Sequence, residues 1–339
     1  MRTIELGTTG EQVSRIALGA MPMGTIADEE TSVALLDRFV ADGGSFIDTA
    51  DCYSWWWAKG TDGGQSEELL GRWFARTGNR DRVFLSTKGT ARIRDVEKAW
   101  PDGATDPDWG YARPNFVGAS AGVLRESLEA SLRRLQTDHI DLYYVHVDDR
   151  STPLEETLET LASFVAEGKV RYLGWSNVRT WRLERIRQLC AANGWPAPVA
   201  LQQEHSYLTP RSGLDSASIV DAEQADYLRE HPDLALVAYS PVLKGIYDMP
   251  EADREAHYLW QGNYASEQGR AQVAAVRAVA ADLGVAPSQV VLAWMLAQES
   301  PRVIPLLGTA RVSRYEEAAE ALSIDLGPDH LAALAAARS

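Results

Sequence analysis

Val83-Phe84-Leu85-Ser86-Thr87-Lys88 is a short apolar run that closes on a lysine. Ser120–Leu135 follows, with Val123, Leu124, Leu128 and Leu132 on one helical face. Ile140-Asp141-Leu142-Tyr143-Tyr144-Val145-His146 is a second apolar run, closing on a histidine. This pattern reads as strand, amphipathic helix, strand. Parallel strands need a long crossover, usually a helix, so the unit implies a parallel sheet. Working outward, the same unit recurs. Upstream lie strand Arg15–Gly19 with helix Asp28–Asp42, and strand Phe46–Asp48 with helix Ser66–Arg76. Downstream come helix Leu154–Glu167, strand Val170–Gly174, helix Arg179–Ala192, strand Val199–Gln202 and helix Ser218–Glu230. Strand Leu234–Tyr239, helices Gln268–Leu283 and Ser288–Gln298, strand Arg302–Leu306 and helix Arg314–Leu322 complete the series. Arg2–Leu6 and Glu11–Val13 flank Gly7-Thr8-Thr9-Gly10 as a hairpin. Eight strand–helix units predict an α/β fold, a (β/α)8 TIM barrel with an N-terminal β-hairpin, forming a single domain over residues 1–339. No Gly-x-Gly-x-x-Gly follows any strand, which counts against a doubly wound dinucleotide-binding sheet.

Composition narrows the function classes. The 339 residues carry 48 acidic and 33 basic side chains, a net charge of −15, which argues against a phosphate-backbone partner and hence against nucleic acid. No apolar run reaches the roughly 20 residues of a membrane span, so no membrane partner is expected. Met1-Arg2-Thr3-Ile4-Glu5 lacks a secretory apolar core, and two cysteines make no disulfide framework. A cytoplasmic location is therefore expected. The six histidines form no metal-binding spacing, so no metal site is expected.

In a barrel, a polar residue ending an apolar strand marks the active-site face. Asp48, Lys88 and His146 end strands two, three and four, and Tyr53 follows Asp48 by five residues. Each alone is compatible with a helix cap, a solvated strand end or a core residue; four on consecutive units point to one mouth. Lysine is scarce here, five against 28 arginines, which makes Lys88 more conspicuous. The quartet suits proton donation to a carbonyl oxygen. A free tyrosine titrates near 10, and a nearby ammonium is expected to lower that value. Asp48 would hold Lys88 in place, and His146 would hydrogen-bond the substrate oxygen if its tautomer leaves a proton to give.

Together these residues and others resemble the aldo-keto reductase superfamily, particularly its longer bacterial branch. The resemblance runs through Ile4-Glu5-Leu6-Gly7-Thr8-Thr9-Gly10, Phe46-Ile47-Asp48-Thr49-Ala50-Asp51-Cys52-Tyr53, Ser66-Glu67-Glu68-Leu69-Leu70-Gly71 and Ser86-Thr87-Lys88. It continues through Asp141–His146, Gly174-Trp175-Ser176-Asn177, Leu201-Gln202-Gln203-Glu204 and Ala238-Tyr239-Ser240-Pro241. It implies Tyr53 as general acid, Lys88 and Asp48 as its tuning pair, and His146 as the orienting residue. Ser176, Asn177 and Gln202 would hold a nicotinamide carboxamide, and Tyr239 would stack on the ring with Ser240 beside it. Read without the resemblance, Asn177 and Gln202 satisfy loop backbone and Tyr239 is a packed aromatic.

Gly308–Glu317 joins strand eight to helix eight, where free N–H groups, Arg311 and Arg314 suit a phosphate. The resemblance places Thr309 and Arg314 at a 2′-phosphate and Glu317 near adenine, which implies NADPH with NADH as the second option. Ala318 stands where the family usually has an adenine-contacting asparagine. A further departure is the insertion Ser54-Trp55-Trp56-Trp57 through Gln65, just after Tyr53. The long connection Gly89–Ala119 adds Trp109. Trp55, Trp56, Trp57 and Trp109 are expected to border the substrate pocket. The reading is an NADPH-dependent reductase that turns an aldehyde or ketone, a sugar or aromatic carbonyl among them, into an alcohol by direct hydride transfer. The alternative is a nicotinamide-binding regulatory or sensor subunit with little turnover, as in the potassium-channel β subunits of similar fold.

Overall fold

In this computed structural model, which describes residues 1–57 and 59–338, two strands form an antiparallel hairpin and eight close a parallel barrel. The hairpin strands are β1 (Thr3–Glu5) and β2 (Gln12–Ser14). The barrel runs β3 (Ala17–Gly19), β4 (Phe46–Asp48), β5 (Phe84–Gly89), β6 (Ile140–Val145), β7 (Val170–Ser176), β8 (Ala200–Glu204), β9 (Ala235–Tyr239) and β10 (Val303–Gly308), and β10 pairs back onto β3. Between the strands lie α1 (Glu29–Ala41), α2 (Gln65–Thr77), α3 (Trp109–Ala112), α4 (Ala121–Leu135), α5 (Leu154–Ala166), α6 (Thr180–Asn193) and α7 (Ala222–Glu230). After β9 come α8 (Glu251–Ala256), α9 (Glu267–Leu283) and α10 (Pro287–Leu296); after β10 come α11 (Val312–Ala319) and α12 (Pro328–Ala336). Among the described residues no single helix is long and apolar enough to cross a membrane.

Two-residue alternation sorts each strand. Phe46, Phe84, Leu142, Tyr144, Val237 and Ile304 pack inside the barrel with Leu6 and Val13, so the hairpin stops its lower end. Ile47, Leu85, Tyr143, Val145, Trp175 and Leu201 face outward onto the helices, in the larger cluster. The inner layer includes an edge-to-face pair, Phe46 and Phe84, with ring centres 5.1 Å apart. Helix α2 approaches α4 closely because residue 71 is glycine: a Cβ there would lie 2.0 Å from the Arg134 carbonyl oxygen.

Several elements depart from the sequence expectation. Helix α7 begins at Ala222, not Ser218, because Ile219 bridges to Glu204 and the Asp221 carboxylate caps the Gln224 amide. The two long connections contain structure of their own: α3 in the first, α8 and a π-helical turn over Trp260–Tyr264 in the second. Their helical runs are too short for periodicity to reveal. Helix α12 follows Gly327 with Pro328 at its first turn and buries Leu334; its alanine-rich sequence carries little amphipathic signal.

Candidate active site

The same alternation that buries Phe46 and Phe84 decides what faces the barrel mouth. Asp48 lies two residues beyond Phe46, Ser86 and Lys88 two and four beyond Phe84, and His146 two beyond Tyr144. Register brings them level, since Asp48 pairs with Ser86 and Lys88 with Tyr144. The three ammonium donors of Lys88 have three partners: Asp48 Oδ2 at 2.6 Å, the Thr49 carbonyl at 2.8 Å and Tyr53 Oη at 2.6 Å. Asp48 Oδ1 accepts from Ser86 Oγ at 2.6 Å and from Gln202 Nε2 at 2.9 Å. Both charged side chains are 0% exposed. An ion pair this buried contributes little net stability, since desolvation offsets the attraction. It is placed directly against Tyr53 Oη.

The strand that carries Lys88 is braced from behind. Thr87 donates to Glu67 Oε1 at 2.5 Å, and Arg134 Nε donates to Glu67 Oε2 at 2.8 Å. Beside them Asp51 is fully buried, and burial together with the Glu67 charge pushes its carboxyl up to about 7.

Electrostatics corrects one expectation. The net shift of the Tyr53 phenol is upward, not downward: burial pushes it well above its ordinary value, and the Asp48 charge adds to the rise, outweighing the Lys88 ammonium. The Asp48 carboxylate, 2.6 Å from the Lys88 ammonium, offsets part of that ammonium's field at the phenolic oxygen. Tyr53 is therefore held in its protonated form. Burial and the Lys88 charge push His146 well below 6.5, so its imidazole is neutral. The His146 ring stands edge-on to Tyr53, ring centres 5.7 Å apart.

These residues open into one groove of about 920 Å³. Asp48, Tyr53, His146, Ser176, Asn177, Gln202, Tyr239 and Ser240 line one part, and Thr309, Arg311, Arg314 and Glu317 line another. Trp55, Trp56 and Trp109 border it; Trp57 does not. Trp57 is 36% exposed and packs on Trp56 with ring centres 5.5 Å apart, because a turn sends successive side chains in different directions. Ala58, in the same insertion, lies outside the described residues. Trp55 is a core side chain, 1% exposed, and its carbonyl accepts from Trp100 Nε1 at 3.2 Å.

The amides near Tyr239 already have protein partners. Asn177 Nδ2 donates to the His146 carbonyl at 2.7 Å and to Ser176 Oγ at 3.0 Å, while Tyr239 Oη donates to Asn177 Oδ1 at 2.9 Å. Arg314 pairs with Glu317 at 2.6 Å on an exposed face, and Arg311 is the N-cap residue of α11. Non-glycine residues around the mouth have left-handed backbone, among them Ser54 (φ 90), Thr90 (φ 92), Asn177 (φ 52), Ser240 (φ 51) and Lys244 (φ 56). Such strain gathers where a fold must aim side chains. Residues that sequence reasoning missed include Ser86, legible from its place two before Lys88, and Cys52 and Lys244, which also line the groove.

The profile of the Aldo/keto reductase family matches residues 15–339. This chain belongs to that family. An aldo-keto reductase of this kind is an oxidoreductase, and the family typically uses a nicotinamide cofactor. Among curated relatives, the uncharacterized oxidoreductase YrpG of Bacillus subtilis is 32% identical over 96% of this chain and 92% of its own length. Norsolorinic acid reductase stcV of Emericella nidulans is 32% identical over 95% of this chain and 77% of its own. Among solved structures, a thermostable aldo-keto reductase in complex with the inhibitor epalrestat aligns with a TM-score of 0.71 and 26% identity, covering 99% of this chain and 100% of that one. The closed parallel barrel and its N-terminal hairpin are the architecture the family membership implies.

Proposed function

We propose that this aldo-keto reductase uses NADPH to reduce an aldehyde or ketone to an alcohol, with Tyr53 as the general acid and the whole chain acting as one barrel unit. The observation that carries the reading is the Lys88 ammonium, held at 2.6 Å from both Asp48 Oδ2 and Tyr53 Oη, two residues that line the groove. The groove's lining suits a dinucleotide: Tyr239 offers an aromatic face, Gln202 keeps an amide N–H and oxygen beyond its bond to Asp48, Ser176 and Asn177 line the same part, and Lys244, Arg311 and Arg314 offer cations. When bound, the nicotinamide supplies the hydride. The protein's part is to hold the carbonyl oxygen and protonate it. As negative charge develops on that oxygen, Tyr53 transfers its phenolic proton. Lys88, already hydrogen-bonded to Tyr53 Oη, stabilises the phenolate left behind. Neutral His146 supplies a second donor without contributing charge. Water is kept from the reacting atoms by the indoles of Trp55, Trp56 and Trp109 around the mouth.

For substrate class the reading favours an aromatic or otherwise bulky apolar carbonyl. Trp56 lies edge-on to Tyr53 with ring centres 5.9 Å apart, and Trp109 lies 6.2 Å from Trp56 and 5.1 Å from Trp55. Phe116 and Met21 extend this wall. For cofactor preference, Arg314 and Arg311 support NADPH over NADH. The test is the initial rate of nicotinamide oxidation against aromatic aldehydes, aliphatic aldehydes, keto sugars and dicarbonyls, with each nucleotide. Rapid turnover of an aromatic carbonyl with NADPH is expected. Tight cofactor binding with negligible turnover of every carbonyl would favour the sensor reading instead.

A further inference from the structure

Cys52 immediately precedes Tyr53, is 1% exposed and lines the groove. Its Sγ lies 3.5 Å from Nδ1 of His146, within reach of a sulfur hydrogen bond. We propose that Cys52 is a positioning residue: its S–H donates to Nδ1 of His146 and so keeps the imidazole proton on Nε2, where it serves the carbonyl oxygen. The catalytic half of this inference rests on the carbonyl-reductase reading; the tautomer half does not.

The argument runs through proton inventory. His146 is neutral, because burial and Lys88 oppose the imidazolium, so the ring carries one proton. Burial and the neighbouring Asp51 charge push the Cys52 thiol well above its ordinary value, so sulfur also keeps its proton. Two arrangements are then available. In one, S–H points to the Nδ1 lone pair and Nε2 bears the ring proton. In the other, Nδ1–H points to sulfur, and Nε2 has no proton to give. Sulfur is a weak acceptor, whereas a neutral imidazole nitrogen is a good one, so the first arrangement is favoured. The His146 backbone is held separately, through its carbonyl by Asn177 and its amide by the Gly89 carbonyl. With both in place, the ring's tautomer is decided at Nδ1. On this proposal other side chains at position 52 would act differently: a carboxylic acid there would charge the imidazole, and an alkyl side chain would leave Nδ1 unbonded.

The test uses the full-length protein with 15N-labelled histidine. Long-range 1H–15N spectra read the tautomer directly, and the signals lost in His146→Ala identify the residue. The expected wild-type pattern is a proton on Nε2 with Nδ1 as a hydrogen-bonded acceptor. This is read without any change at position 52, so it stands even if Cys52 variants fold poorly. In Cys52→Ala the Nδ1 resonance should move toward that of an unbonded acceptor. The kcat for carbonyl reduction should fall about fivefold, the scale of one neutral hydrogen bond, with cofactor affinity unchanged. Cys52→Ser, which restores a donor, should recover most of the loss. On a His146→Ala background, Cys52→Ala should cost nothing further. A wild-type proton on Nδ1 overturns the proposal. So does an equal loss in the alanine and serine variants, or a loss that persists without His146. If no carbonyl is reduced by the wild type, the functional reading fails while the spectra still decide the tautomer.

Discussion

Replacing Tyr53 with phenylalanine removes one oxygen from the site and separates chemistry from architecture. In the folded protein that oxygen accepts one of the three Lys88 hydrogen bonds; those to Asp48 and Thr49 remain. A hydrogen bond to a charged group contributes about 1.5–3 kcal/mol. The variant also no longer buries a hydroxyl, which returns about 1–3 kcal/mol of desolvation. The two nearly cancel, and the melting temperature should move little. Turnover should not be spared. A positioned general acid contributes about 10²- to 10⁴-fold, roughly 3 to 5 kcal/mol of barrier. His146 remains as a donor, so a residual rate is expected. The assay is single-turnover oxidation of bound nicotinamide by a saturating aromatic aldehyde, with thermal unfolding measured on the same preparation. A Tyr53→Phe variant that keeps more than about a tenth of the wild-type chemical rate would refute the assignment of Tyr53 as the acid.

Truncating Arg314 to alanine should weaken NADPH binding by about 1–2 kcal/mol and leave NADH binding nearly unchanged. A phosphate hydrogen bond contributes about 1.5–3 kcal/mol, less up to about 1 kcal/mol for the exposed Glu317 pair it displaces; titration with each nucleotide checks it. Trp109→Ala should raise KM for a bulky aromatic carbonyl several-fold more than for a small aldehyde, because Trp109 lines the groove and is 42% exposed. Equal effects on both substrates would assign it a structural role. Asp51→Asn should stabilise the fold near pH 8 and not near pH 3. A folded-state value of about 7 means the native state holds a proton that the unfolded chain has released, so the carboxyl's penalty grows as pH rises from about 4 to about 7, to at most about 4 kcal/mol. Denaturant melts at the two pH values decide it. Acid should act the other way through His146 and His205, the latter pushed down to about 3 by burial. The unfolded chain gains protons below about 6.5 that the folded chain refuses, so near pH 5 the His205 site should cost about 2 kcal/mol of stability, with His146 acting in the same direction. Melting the His205→Gln variant beside the wild type at pH 7 and pH 5 tests this, and parallel losses would remove His205 from the account.

Much of the site was legible in the sequence because barrel strands obey a two-residue period. Once Phe46, Phe84 and Tyr144 face inward, Asp48, Lys88 and His146 must do so too, and apolar runs ending in polar residues mark the mouth. The order of strand–helix units likewise implied the parallel barrel, since crossover helices leave few other solutions. What one dimension does not contain is the set of distances that chain neighbours do not control. The sequence suggested that Lys88 would lower the Tyr53 phenol; only the tertiary structure shows the carboxylate 2.6 Å away and the burial that reverse the shift. Three consecutive tryptophans read alike as letters, yet a turn sends Trp55 into the core, Trp56 to the groove and Trp57 toward solvent. Cys52 was one of two unremarkable cysteines until strand β6 brought His146 within 3.5 Å of its sulfur. Local period decides which face a side chain takes. Burial and partner, which set its charge and its proton, come from segments almost a hundred residues away, and only packing brings those together.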